Sequence, residues 1–109
     1  MKPRLEARVY YKGRLICAGY NSYTNSSKLQ RRFGGDKRPF VHAELDAIRE
    51  AIYHVGIDSL AQCELYVERY KADGTLGLAK PCECCQRALE AFRFKRVYYT
   101  TERGWERLK

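Results

Sequence analysis

Apolar and polar residues alternate from Leu5 to Val9 in a strand-like run that reaches Tyr11, and a second strand-like run spans Arg14 to Tyr20, with Lys12-Gly13 between the two. Two strands joined by a short glycine turn are the reading, a β-hairpin. The stretch from Ser22 to Val41 keeps no period and collects Ser, Asn and Gly, so it reads as a long loop with a short helical turn near Lys28 to Phe33. The period then becomes helical. Leu45, Ile48, Ile52 and Val55 form one apolar stripe and Gly56 stands at the C′ position, which predicts a helix from His42 to Val55. Alternation returns from Cys63 to Tyr70, with Cys63, Leu65 and Val67 on one face. A turn-rich loop, Lys71 to Lys80, leads to a second helical stripe of Cys85, Ala88, Leu89 and Phe92, with Pro81 where proline is tolerated at a helix start. Arg96 to Thr101 is a further strand, Glu102 to Gly104 a turn and Trp105 to Leu108 a short last strand. The order β-β-α-β-α-β plus that last strand predicts an α/β fold, a sheet with helices packed on it. No internal repeat or linker interrupts it, so residues 1–109 read as a single domain.

Composition narrows the class. A chain of 109 residues supports one core, and a hydrophobic fraction of 45% argues against disorder. No apolar run approaches the roughly 20 residues that span a bilayer, and Met1-Lys2-Pro3-Arg4 is not followed by an apolar signal core. The expectation is a cytoplasmic protein with no membrane partner. Five cysteines, an odd number, then read as reduced thiols and metal ligands rather than a disulfide framework, with Cys17 and Cys63 as small buried hydrophobes inside strands. The net charge of +8 raises the prior for an anionic partner such as a nucleotide, DNA or RNA, and is also compatible with a merely solvated surface.

The chemistry gathers at the starts of the two helices, in His42-Ala43-Glu44 and Pro81-Cys82-Glu83-Cys84-Cys85. The positive end of a helix dipole and its unpaired amides stabilise a thiolate. Thiolates and a neutral imidazole suit Zn²⁺, and three protein ligands leave a fourth tetrahedral position for water, as in catalytic sites. His42, Cys82 and Cys85 are the candidate ligands. Cys84 could replace either cysteine, but the Cys-x-x-Cys spacing after Pro81 favours the outer pair. Glu44, two residues from His42, does not share its helical face as a fourth ligand, and is placed better to serve a water. A redox Cys-x-x-Cys pair would leave His42 and Glu44 unexplained. His54, near the C-terminus of its helix, is accounted for by the helix dipole alone.

His42-Ala43-Glu44 followed by Pro81-Cys82-x-x-Cys85 resembles the zinc-dependent cytidine and deoxycytidylate deaminase superfamily. The resemblance runs through most of the chain and requires two separated motifs in order. It implies a three-layer α/β/α fold around a mixed sheet of four to five strands, although there is no helix before the first strand and almost nothing after Thr101. It implies Zn²⁺ on His42, Cys82 and Cys85, with Glu44 moving protons between water, the cytosine ring nitrogen and the leaving amine. The backbone amides of Ala43 and Cys82 would hold the ring carbonyl and the tetrahedral centre. Gly19-Tyr20-Asn21 is similar to the Gly-aromatic-Asn at the end of the family's second strand, which implies that Asn21 holds a sugar hydroxyl. Family members commonly assemble through helix faces, so a homo-oligomer is an expectation.

The substrate is the remaining question. A histidine as first ligand, in His42-Ala43-Glu44-Leu45-Asp46-Ala47-Ile48, resembles the deoxycytidylate branch most, although Asp46 stands where that branch usually has Asn. The Ser-Trp-Ser run of the polynucleotide cytosine editors is replaced by Leu78-Ala79-Lys80, and the Glu of the tRNA-type enzymes by Lys80. A cytosine nucleotide or nucleoside, deoxycytidylate first, is therefore the expected small-molecule substrate. Lys28, Arg31, Arg32, Lys37 and Arg38, in the loop that feeds into His42, are candidate phosphate contacts. Phe40 is either a wall of the base pocket or a hydrophobic staple. Single-stranded DNA or RNA is the alternative substrate, supported by the charge and by nine tyrosines that could stack on bases. A third reading is an inactive, zinc-stabilised nucleic-acid-binding module whose metal would be closed by Cys84, Cys17 or Cys63.

Overall fold

The computed structural model describes residues 4–21 and 42–108. In chain order they form β1 (Arg4–Tyr11), β2 (Arg14–Tyr20), α1 (Ala43–Val55), a 3-10 helix (Ile57–Gln62), β3 (Cys63–Tyr70), α2 (Glu83–Ala91), β4 (Arg96–Thr101) and β5 (Gly104–Arg107). The strands make one five-stranded sheet in the order β2-β1-β3-β4-β5. It is mixed: β3 and β4 run parallel, and every other neighbouring pair is antiparallel. This is the α/β class with the mixed five-stranded sheet that the resemblance implies; among the described residues its two α-helices form one layer, on one face of the sheet.

Local chemistry explains the elements. Lys12 and Gly13 both have positive φ, 52° and 78°, the two-residue turn that matches the twist of a hairpin. One irregularity between Val9 and Tyr10 leaves Ile16 as an extra residue in β2. Gly56, at φ 83°, ends α1 and donates its N–H to the carbonyl of Ile52 at 2.9 Å. The last strand starts at Gly104 rather than Trp105, because Gly104 pairs with Thr101 across the turn and Thr101 Oγ1 donates to its carbonyl at 3.0 Å. The 3-10 helix has no sequence signal: Leu60 is its only buried residue.

The core lies on one face of the sheet. Ala7, Val9, Cys63, Leu65, Val67, Val97 and Tyr99 point to it from three strands, and Leu45, Ile48 and Ala51 of α1 meet Cys85, Ala88 and Leu89 of α2 there. Both helices therefore cover the same face, and their N-termini come together over the C-terminal ends of the parallel strands, where open α/β sheets hold their ligands. On the opposite face Tyr66 stacks on Tyr98 at 4.9 Å and meets Tyr10 and Trp105 edge-on. No described helix is long and apolar enough to cross a membrane.

Candidate metal centre and active site

Each helix has a candidate metal ligand in its capping position. His42 is the N-cap of α1 (φ −81°, ψ 145°) and Cys82 the N-cap of α2 (φ −70°, ψ 171°), and neither side chain caps its helix. They turn toward each other instead. His42 Nδ1 lies 3.3 Å from Cys85 Sγ and 3.4 Å from Cys82 Sγ. With Zn–S near 2.3 Å and Zn–N near 2.0 Å, a tetrahedral site has S···N edges of about 3.6 Å. The three donor atoms all lie within 4.8 Å of one another, so they stand as three corners around a zinc-sized space. Among the described residues no fourth ligand joins them.

The other cysteines have separate tasks. Cys84 is buried in the hydrophobic core. The Cys17 thiol donates to the carbonyl of Ala47 at 3.6 Å and the Cys63 thiol to that of Ser59 at 3.4 Å. The outer Cys-x-x-Cys pair is thus the one that faces His42, and a site closed by Cys17, Cys63 or Cys84 finds no support. His54 is half exposed, beside Glu50 at 4.0 Å and the Tyr53 ring, away from the cluster.

The electrostatics are those of a site built to lose protons to a metal. The Cys82 thiol is held down to about 3 by the hydrogen bond from Cys85 and by His42, while that same hydrogen bond and burial push the Cys85 thiol up. The two shifts fit one proton shared by the two sulfurs, and a bound Zn²⁺ would take both as thiolates. Glu44, in the first turn of α1, is 5% exposed. Burial raises its pKa, and its carboxyl is in hydrogen-bond contact with the Cys85 thiol. Burial thus favours the protonated form of a carboxyl that lies beside a candidate metal ligand.

Two features hold α1 in place. A Cβ on Gly19 would lie 2.3 Å from Ala47 N and 2.5 Å from Ala43 O, so the first turn of α1 lies directly on the end of β2. Asp46 Oδ2 accepts the Tyr20 N–H at 3.0 Å while Oδ1 takes Arg49 at 2.6 Å. The sequence marks Gly19 only as a turn residue and Asp46 only as a departure from Asn; the structure shows both joining strand to helix. Asn21 stands at the end of β2, its Oδ1 accepting the Leu5 N–H at 3.2 Å, which leaves its NH₂ as the group that could meet a ligand. Ala43 is the fully buried first residue of α1. The expectations for Lys28, Arg31, Arg32, Lys37, Arg38, Phe40 and the helical turn near Lys28 fall outside the described residues.

The cysteine-bearing loop is also anchored. The chain turns back at Lys71–Thr75, and Gly77 to Ala79 then run beside β3 and β4, with Gly77 N–H bonded to Arg69 C=O at 2.9 Å and Ala79 N–H to Thr100 C=O at 2.8 Å. Pro81 C=O accepts Gln86 Nε2 at 2.7 Å, fixing the step into α2. These contacts join residues 5 to 21 positions apart and have no local sequence signal.

Residues 7–101 match the family described as the cytidine and deoxycytidylate deaminase zinc-binding region. No curated protein matches the chain. The match spans most of the sequence and includes both ligand motifs, in agreement with the geometry of His42, Cys82 and Cys85: the chain belongs to the zinc-dependent cytidine and deoxycytidylate deaminase family.

Proposed function

We propose that this protein is a hydrolytic deaminase that converts a cytosine nucleotide to its uracil form with release of ammonia, and that deoxycytidylate is its substrate. The observation that carries the reading is Glu44, buried, with raised proton affinity, against the Cys85 ligand. His42, Cys82 and Cys85 hold the zinc, and the bound ion supplies the Lewis acidity that makes water nucleophilic near neutral pH. Glu44 takes a proton from the attacking water as the new C–O bond forms at C4 of the ring. It passes that proton to the ring nitrogen, then moves the proton of the new C4 hydroxyl to the amino group; the C–N bond breaks, the carbonyl forms and ammonia departs. Water is consumed and no redox change occurs. The amides of Ala43, first residue of α1, and Cys82, N-cap of α2, are the donors suited to the ring carbonyl and the tetrahedral carbon's oxygen. Fixed donors of this kind contribute a few kcal/mol, about 3, to the transition state.

Deoxycytidylate is favoured by the likeness of His42 to Ile48 to that branch. Asp46 serves there as an acceptor, a role that the carbonyl half of the usual Asn can also fill. Single-stranded nucleic acid is the second reading, favoured by the net charge of +8. The tyrosines add less to it, since Tyr10, Tyr66 and Tyr98 pack on one another on the face opposite the helices. The test is a panel of dCMP, cytidine and a cytosine-containing oligonucleotide, followed by uracil formation, with zinc quantified in the same sample. Glu44→Gln retains zinc and loses turnover. Undiminished ammonia release by that variant removes the acid–base role, and turnover of the oligonucleotide alone reverses the choice of substrate.

A further inference from the structure

The ladder between the parallel strands β3 and β4 stops at the pair Val67 and Tyr99. Past that point the Arg69 N–H bonds to a side chain: it donates to Thr100 Oγ1 at 3.1 Å. The Thr100 hydroxyl in turn donates to the carbonyl of Gly77 at 2.9 Å. Gly77 N–H returns to β3 through Arg69 C=O, and Ala79 N–H goes to β4 through Thr100 C=O. Gly77 to Ala79 are therefore wedged between the splayed ends of two parallel strands, bonded to both. Thr100, with none of its surface exposed, is where the three segments meet.

Only Lys80 and Pro81 separate this wedge from Cys82. The proline ring fixes φ, Pro81 is buried, and its carbonyl is held by Gln86. The path from Thr100 to the Cys82 sulfur has little freedom. We propose that Thr100 is a positioning residue for the metal ligand Cys82: its hydroxyl fixes the wedge, and through it the place of the sulfur relative to His42 Nδ1 and Cys85 Sγ. Valine has the same shape and would fill the same space. It would leave Gly77 C=O and Arg69 N–H without their partner in the interior, and buried backbone groups rearrange to recover a partner. The segment free to rearrange is the one that carries Cys82.

Partners that orient metal ligands contribute about 10- to 100-fold to metal affinity, and Thr100 acts one link further out, so the lower end, about tenfold, is expected. The experiment is zinc competition against a chromophoric chelator, together with the thiolate-to-metal absorption of the cobalt-loaded full chain, for Thr100→Val and Thr100→Ser. The valine variant should bind zinc about tenfold more weakly and shift the cobalt spectrum. The serine variant, which keeps the hydroxyl, should restore both. A folded Thr100→Val with wild-type zinc affinity and an unchanged cobalt spectrum overturns the proposal. So does a serine variant as weak as the valine one, because the hydroxyl would then not be the group that matters. Should Thr100→Val fail to fold, Thr100→Ala and Thr100→Ser give the same comparison at nearly equal volume, and equal affinities for that pair overturn the proposal. None of these readouts depends on substrate, so the outcome is separate from that of the deaminase assay.

Discussion

Gly19→Ala tests whether the metal centre depends on the contact between β2 and α1. The added Cβ would sit 2.3 Å from Ala47 N, 2.5 Å from Ala43 O and 2.8 Å from Ala47 Cα, whereas ordinary contact begins at 3.4 Å. All three atoms are helix backbone, so no side chain can swing aside. Relief requires α1 to lift from β2 by about 1 Å, and overpacking of this kind costs about 3 kcal/mol. For a domain of this size that lowers Tm by about 15 °C. His42 travels with α1 while both sulfurs stay with α2, and metal–ligand distances tolerate only about 0.2 Å. The variant should therefore also bind zinc more weakly, by tenfold or more on the order of magnitude set by disturbed ligand orientation. Urea unfolding in chelator measures the first effect and zinc competition the second. Gly77→Ala is the control: its Cβ would meet only the flexible side chains of Arg69 and Lys71, at 3.3 Å, and should cost little. Wild-type stability for Gly19→Ala would refute the close approach. Lost stability with unchanged zinc affinity would refute the coupling, since β2 rather than α1 would then have yielded.

Three further outcomes follow from the same site. Cys82→Ser removes a ligand but supplies a good N-cap, so zinc binding is lost while stability in chelator rises by about 1 kcal/mol over chelated wild type; a lower urea midpoint contradicts this. In metal-free protein, Cys82, held down to about 3, should be alkylated at pH 5 to 6, where an ordinary thiol near 9.0 is protonated. Peptide mapping should find Cys85 unmodified there and zinc protective; labelling of Cys82 that begins only above pH 8 refutes the shared proton. Glu44 has its pKa raised by burial, so the native state binds the proton more tightly than the unfolded chain and stability falls as pH rises above the ordinary carboxylate value of 4.5. Metal-free Glu44→Gln should therefore exceed wild type in urea midpoint at pH 7, with the difference vanishing toward pH 4.

Periodicity and ligand type made much of this legible. The strands Arg14 to Tyr20, Cys63 to Tyr70 and Arg96 to Thr101 are readable residue for residue, the second from its alternation and the other two as short apolar, β-branched or aromatic runs bounded by turn or loop signals. His42, Cys82 and Cys85 were readable because imidazole and thiols at two helix starts have few other uses. What was not legible depends on distance in the chain. Ile57–Gln62 curls into a 3-10 helix around one buried leucine, and nothing local distinguishes it from a loop. Thr100 looks like one more β-branched strand residue, yet its hydroxyl meets groups 31 and 23 positions away. Gly19 looks like a turn, and only the helix beyond it shows why a side chain is forbidden.

The two N-caps bring these strands of argument together. A helix usually begins with Ser, Thr, Asp or Asn, whose side chain satisfies a first-turn amide and contributes about 1 kcal/mol. Here both caps are candidate metal ligands, and neither makes that bond. The first turns are held instead from outside: α1 by Gly19 and Asp46 against β2, and α2 by Gln86 and the Thr100 wedge against β3 and β4. The residues that stand in for side-chain caps thus belong to the candidate site as much as His42, Cys82 and Cys85 do: they let the two helices begin facing each other at a fixed separation.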